Sequence, residues 1–343
     1  MNRASKLIGL IALVIALSAM ATASASAHKK HDNSFTTAVI GDTPYGAAQN
    51  ANFPNDIAAI NADPNVGMVI HLGDIKNGSS QCTDTYFQSI RSSFDTFADP
   101  LVYTPGDNEW TDCHRASNGN YNPLERLQKL RQVFFDRPGV TLGQNRTFVR
   151  SQQWRGFPEN VRWRRNDIQF GVINLPGSND DLVPWTGAWG DGLTVGPVQQ
   201  GEHDSRLAAN LDWIDGVFSR AARHRTRAVV IGLQADMFDP EAAAANQVSA
   251  YAPIIHKIAT RAAAYRKPVL LLNGDSHIFE ADHPFAAGQQ ASTIYGETAV
   301  APNVTRVTVN GSTTAPHEWL KLRFDPGSAG VFSWTRVPFA IQP

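Results

Sequence analysis

Cysteine is nearly missing from this chain: 343 residues carry two. That excludes any disulfide framework beyond a single bridge. Neither sign of charge is in excess, with 30 Lys and Arg against 31 Asp and Glu and a net charge of −1. The basic surplus of a general nucleic-acid binder, or of a polybasic membrane patch, is therefore lacking. Long apolar runs are lacking too once the first residues are passed, so no later segment reads as a membrane span. What is present, at 42% hydrophobic composition, is enough apolar material for a sizeable core.

Residues 1–27 read as a signal peptide rather than as fold. Arg3 and Lys6 form a charged start, Leu7 to Met20 an apolar stretch, and Ala25-Ser26-Ala27 a small-x-small cleavage site before His28. The expected mature protein is a single domain over 28–343, secreted or periplasmic, with no membrane attachment after cleavage near Ala27. In such an oxidising compartment Cys82 and Cys113 are expected to pair, with two separately buried thiols as the alternative.

The most informative pattern is a Gly-Asp doublet closing an apolar run, found at Thr37–Asp42, Val69–Asp74, Leu101–Asp107 and Val269–Asp275. Residues just past the carboxyl ends of parallel strands point into the crevice where ligands bind. Four carboxylates meeting there cannot all stay ionised without positive charge between them, because each raises the pKa of the next. Gly190-Asp191, which follows no apolar run, reads as loop.

From Phe35 to Asp107 strand-like runs alternate with helical patterns, which predicts βαβ units and a mainly parallel sheet. Strands are expected over 35–42, 66–74 and 101–104, with helices over 54–62 and 86–97 between them. Polar residues 108–121 form an expected functional loop, followed by a helix over 124–135. Strands near 147–152 and 168–174 then precede a Pro-, Gly- and Trp-rich loop over 176–198. Further on, helices are expected over 202–222 and 249–265 and strands over 228–233 and 269–273. Three tail runs, 304–310, 319–324 and 331–337, read as antiparallel strands finishing a second sheet.

The order of these blocks resembles the calcineurin-like metallophosphoesterases, whose sequence blocks are Asp-x-His, Gly-Asp, Gly-Asn-His-Glu/Asp, a later His and Gly-His-x-His. The resemblance spans about residues 35 to 280 and lies in order and strand context more than in letters. It implies an α/β fold, a two-sheet α/β/β/α sandwich, holding two metal ions. The implied activity is hydrolysis of a small or polymeric phosphomonoester or phosphodiester by a metal-bound hydroxide. Asp42 matches the first aspartate, Asp74 the metal-bridging one, Glu109 the acid of the third block and His277 the last histidine.

Elsewhere the chain departs from the pattern. Pro44 stands in place of the first ligand histidine, Asp107 in place of the metal-binding asparagine and Asn108 in place of the histidine near the leaving group. Gln234 replaces the later histidine and Asp275 the first of Gly-His-x-His. The metal ligands implied are Asp42, Asp74, Asp107, Gln234, Asp275 and His277, with Asp236 a stand-in for Gln234. Trading imidazole for oxygen hardens the site, favouring Mn, Mg or Ca over Zn or Fe. Asn108 and Glu109 occupy the catalytic block, His114 would replace the missing proton donor, and Lys76 and Arg115 would hold the phosphate.

Tyr45 and Trp110 either wall the pocket or pack the core, and His71 reads as a core histidine. A different reading keeps the sandwich and its metal cluster without catalysis, as an extracellular metal-binding protein. A third, with Ser276 as an esterase nucleophile after Gly274-Asp275, is disfavoured because that block belongs after a first strand.

Overall fold

The computed structural model describes residues 33–340, so the expected signal peptide and its cleavage near Ala27 lie outside the described residues. In chain order the elements begin β1 (Phe35–Ile40), α1 (Gly46–Asn61), β2 (Val66–His71), α2 (Asp84–Phe94), β3 (Leu101–Tyr103) and α3 (Pro123–Phe134). Next come β4 (Arg150–Gln152), β5 (Phe157–Arg165), β6 (Ile168–Val172), the helical turn α4 (Gly177–Asp181), α5 (Pro197–Arg223) and β7 (Ala228–Gly232). The chain continues with α6 (Pro240–Ala244), α7 (Ala252–Tyr265), β8 (Val269–Asn273), β9 (Glu280–Asp282), α8 (Gln290–Tyr295), β10 (Val304–Thr308), β11 (Glu318–Phe324) and β12 (Phe332–Pro338).

Two sheets result, one ordered β12-β11-β1-β2-β3 and the other β4-β5-β6-β7-β8-β10-β9. Strands β1, β7 and β8 are buried at every position, as central strands covered on both faces must be. The inner faces pack on each other through Val39, Ile70 and Leu72 of the first half against Phe170, Val230 and Leu270 of the second. Outside the first sheet, Phe53, Phe87 and Leu130 of α1, α2 and α3 cover Ala38 and Val69. Outside the second, Trp213 and Ile214 of α5 and Ile255 and Ile258 of α7 cover Ile231 and Leu271. The layering is the expected α/β sandwich, two sheets flanked by helices.

Several expected boundaries move. Helix α1 starts at Gly46, not Pro54, and runs through the proline. Burial of Phe53, Ile57 and Ile60 on one stripe, roughly 1.5–3 kcal/mol each, outweighs an interior proline's cost of about 3 kcal/mol. Strand β5 was not expected, because its Arg162-Trp163-Arg164-Arg165 end hides the apolar alternation. The expected strand at 147–152 shrinks to β4.

The tail is also redistributed. β10 runs parallel to β8 in the second sheet, whereas β11 and β12 return to the first, β11 antiparallel to β1. Phe324 stacks on Phe35 at 4.9 Å, and Leu320 and Leu322 are buried, so β11 closes what would be an open apolar edge of β1.

Cys82 and Cys113 form a disulfide across 31 residues, joining the segment after β2 to the one after β3. Chain-entropy arguments give such a loop about 3–4 kcal/mol. A Cys82→Ser/Cys113→Ser double variant should therefore lose that much in a chemical-denaturation measurement, and an unchanged midpoint would contradict it.

Candidate metal centre

Asp42, Asp74, Asp107 and Asp275 follow β1, β2, β3 and β8 and come together where the two sheets meet. Asp42, Asp74 and Asp275 have left-handed backbone at φ 51°, 56° and 75°, and His277 joins them at 64°. Non-glycine residues there cost about 1–2 kcal/mol each, so the surrounding structure must impose the geometry. The glycines of the doublets explain how the carboxylates fit. A Cβ on Gly106 would overlap the Asp74 carboxylate, and one on Gly274 would overlap that of Asp42. Each glycine thus clears space for the aspartate of a different doublet.

Three of the acids form a compact group: one oxygen each from Asp74, Asp107 and Asp275 lies within 4.8 Å of the others. Asp42 adjoins them, its two oxygens accepting from the Asp275 N–H at 3.0 and 3.1 Å. His277 presents Nε2 at 3.5 Å from Asp42 Oδ1, while its Nδ1 is hydrogen-bonded to Thr313 Oγ1 at 2.6 Å. That second contact orients the ring, as outer-shell partners of ligand histidines do. Tyr45 donates its hydroxyl to Asp74 Oδ2 at 3.2 Å and accepts from Asn108 Nδ2 at 3.0 Å. It belongs to the site itself rather than to the core.

Among the described residues, no Lys or Arg forms an ion pair with Asp42, Asp74, Asp107 or Asp275; the imidazole of His277 is the one basic partner. Burial pushes Asp42, Asp74 and Asp275 well above the usual carboxylate range, and the charges of neighbouring acids push the same way. Asp112, overlooked in the sequence, is a further buried acid here, pushed up to about 7 by burial and then by the charge of Asp107. Its one sequence signal was its place beside Cys113 in the polar loop. Burial lowers the pKa of His277, so the ring is neutral and able to ligate. A donor set of carboxylate oxygens with one imidazole, in ion-pair contact with no Lys or Arg among the described residues, fits a hard divalent metal, and Asp74, Asp107 and Asp275 could hold one.

Other expected participants take supporting places. Glu109 is fully buried; its Oε1 accepts from Tyr103 Oη at 2.7 Å, Gly106 N at 2.8 Å and Asp74 N at 3.1 Å. It knots the ends of β2 and β3 and so acts as a positioning residue, not a catalytic one. Lys76 is buried too, donating to the carbonyls of Asn108 at 2.7 Å and Asn77 at 2.8 Å, with its pKa drawn down to about 8 by burial. Its ammonium braces the loop and is not free for a phosphate.

Asn108 gives its amide to Asp74 Oδ2 at 2.6 Å. Gln234 turns Oε1 to Gly177 N at 2.5 Å and donates Nε2 to Asp107 Oδ1 at 3.3 Å, so it meets the acids as a donor, not as an oxygen ligand. Asp236 does not replace it, because Arg306 pairs with its Oδ1 at 2.8 Å. His114 is buried with Nδ1 accepting from Thr186 N at 3.0 Å and its pKa lowered to about 4 by burial. Arg115 stays partly exposed and pairs with Asp112 at 2.6 Å. Trp110 and His71 are core residues.

One supporting element had no sequence signal. In α4, Ser178, Asn179 and Asp180 are left-handed at φ 50°, 54° and 56°. Ser178 Oγ sits 2.8 Å from Asp107 Oδ2 and 2.9 Å from Asp112 Oδ1, linking the two acids. Arg206 of α5 fixes the turn by pairing with the Asp180 carboxylate and donating to its carbonyl at 3.1 Å. Ala250 N holds Asn179 Oδ1 at 2.9 Å.

Fold and site together define an α/β sandwich with a carboxylate-built candidate cation site. No protein-family model and no curated protein matches the chain. Among solved structures it is similar to GAP50, the anchor in the inner membrane complex of Plasmodium, at 7% identity and a TM-score of 0.45, over 90% of this chain and 89% of that one. A likeness of that degree transfers no chemistry.

Two outcomes follow from the geometry. Acids whose folded pKa is raised hold protons that the unfolded chain has already lost above about pH 4, so the metal-free protein should lose stability as pH rises from there through about 7. Calorimetric melting should show that fall, and saturating Mn²⁺ or Mg²⁺ should flatten it. Gly106→Ala should displace Asp74 and weaken dication binding about tenfold or more while costing about 1–3 kcal/mol in stability; calorimetric titration showing wild-type affinity would contradict that placement.

Proposed function

We propose that this chain is a secreted or periplasmic metal-dependent phosphoesterase, a divergent relative of the calcineurin-like metallophosphoesterases that hydrolyses a phosphomonoester or phosphodiester. The observation that carries the reading is the convergence of Asp42, Asp74, Asp107 and Asp275 with no Lys or Arg among the described residues in ion-pair contact with them. About four negative charges, once the acids are ionised, match two dications, with Mn, Mg or Ca preferred to Zn or Fe. When bound, such ions would supply Lewis acidity toward the phosphoryl oxygens and an acidified water.

The chain's own residues supply position and hydrogen bonds. Asp42, Asp74, Asp107, Asp275 and His277 would hold the ions. Tyr45 keeps its proton, because burial and then the charges of the acids beside it raise its pKa, and with that proton given to Asp74 Oδ2 its hydroxyl positions the carboxylate. Arg115, anchored on Asp112, is the cation available to clamp the substrate.

Among the described residues, neither Asn108 of the catalytic block nor His114 of the loop, the two expected near the leaving group, is suited to protonate it. Asn108 cannot do so, and His114 is neutral at physiological pH with Nδ1 occupied. Esters with acidic leaving groups should therefore be the substrates that turn over. The same gap favours a second reading, a non-catalytic extracellular protein that keeps the metal for stability or binding.

One assay separates the two. Hydrolysis of an aryl phosphate and an alkyl phosphate is followed with Mn²⁺, Mg²⁺, Ca²⁺ or Zn²⁺ in the wild type and in Asp74→Asn. The phosphoesterase reading expects metal-dependent aryl turnover at least roughly a hundredfold above alkyl, abolished in the variant. Dication-dependent thermal stabilisation without turnover on any ester would establish the second reading instead.

A further inference from the structure

Away from the acids, the edge of the second sheet gathers uncompensated charge of the other sign. Arg150 in β4 and Arg162 in β5 lie directly opposite each other in the antiparallel ladder, on one face of the sheet. Like charges so placed destabilise a strand pair. Arg162 lies over the Trp213 ring of α5 at 3.9 Å and Arg150 over the Trp154 ring at 4.8 Å, with the two indoles 5.5 Å apart. Room for the Arg162 head comes from Gly216, where any Cβ would overlap the guanidinium.

Arg220, one turn further along α5, adds a third charge. Burial first, then Arg220 and Arg150, draw the pKa of Arg162 down to about 10. Asp212 opposes that shift but sits 3.7 Å from Arg155, its ion-pair partner. No ion pair among the described residues involves Arg150, Arg162 or Arg220, and Arg162 Nε is buried without a hydrogen-bond partner.

We propose that Arg150, Arg162 and Arg220 form a binding site for a tetrahedral oxyanion, a phosphate or sulfate group, whose attached ring packs on Trp154. A guanidinium stacked on an indole keeps its N–H edge free, and that edge matches two oxygens of such a group. An anion between the three converts mutual repulsion into attraction. Trp154, 53% exposed beside Arg150, offers a flat apolar surface for a ring carried by the same ligand. The site shares no residue with the acidic cluster, so it stands whether or not the chain is a phosphoesterase.

The test titrates the full chain with inorganic phosphate at ionic strength held constant with NaCl, read by thermal melting and calorimetry. Phosphate should raise Tm saturably in the wild type and in Asp74→Asn alike. Arg162→Gln and Arg150→Gln should each bind about tenfold more weakly. Phenylphosphonate should bind more tightly than phosphate, and Trp154→Ala should erase that preference. Should Arg162→Gln fail to fold, Arg220→Gln on the helix surface gives the same reading. An equal rise in Tm with NaCl alone, which would mean simple screening, or wild-type phosphate affinity in the arginine variants, overturns the proposal.

Discussion

Acids that repel one another are held in a single buried corner, and much of the surrounding structure is arranged around that repulsion. Asp42, Asp74 and Asp275 accept left-handed backbone so that their carboxylates turn inward, and Gly106 and Gly274 remove the side chains that would block them. Glu109 fixes the backbone of Asp74 through Oε1, and Lys76 fixes the carbonyl of Asn108. On the far side, Arg206 secures a left-handed turn that reaches the site through Ser178 on Asp107 and Asp112 and through Gly177 N on Gln234. Such strain persists only where neighbouring contacts over-determine it, and each of these residues contributes one of those contacts.

The two charged clusters have a common logic. Both bring like charges together, the acids at the strand ends and the arginines at the sheet edge, and among the described residues no Lys or Arg pairs with the four strand-end aspartates and no Asp or Glu pairs with the three arginines. In each case glycine provides the space, Gly106 and Gly274 for the carboxylates and Gly216 for the guanidinium. Packing thus concentrates charge of opposite sign in two separate places.

Much of this was legible in the sequence because strand ends are marked by simple chemistry. Apolar runs stopping at Gly-Asp located β1, β2, β3 and β8 and the acids after them, and the isolated cysteine pair gave the bridge. What resisted reading were directions of side chains. Position alone could not tell that Gln234 turns its oxygen to Gly177, that Glu109 lies beneath the site, or that the Lys76 ammonium is spent on carbonyls. Asp112 and Ser178 enter through a single 3-10 turn (Thr111–His114) and a left-handed turn, both too short to leave a periodic pattern. Strand β5 was hidden for a related reason, since arginines stacked on indoles read as solvent-facing polar residues although Arg162 packs across α5.

The pairing of β1 with β11 sets the order in which the molecule can be completed during synthesis. Asp42 stands at the end of the first strand, yet that strand gains its second neighbour from residues 318–324, and the Asp42 carbonyl is held by Ser312 N at 2.9 Å. His277 likewise depends on Thr313 for its orientation. A nascent polypeptide halted between residues 275 and 312 therefore carries all four acids without the frame that converges them, so the acidic corner is completed only when translation has almost finished.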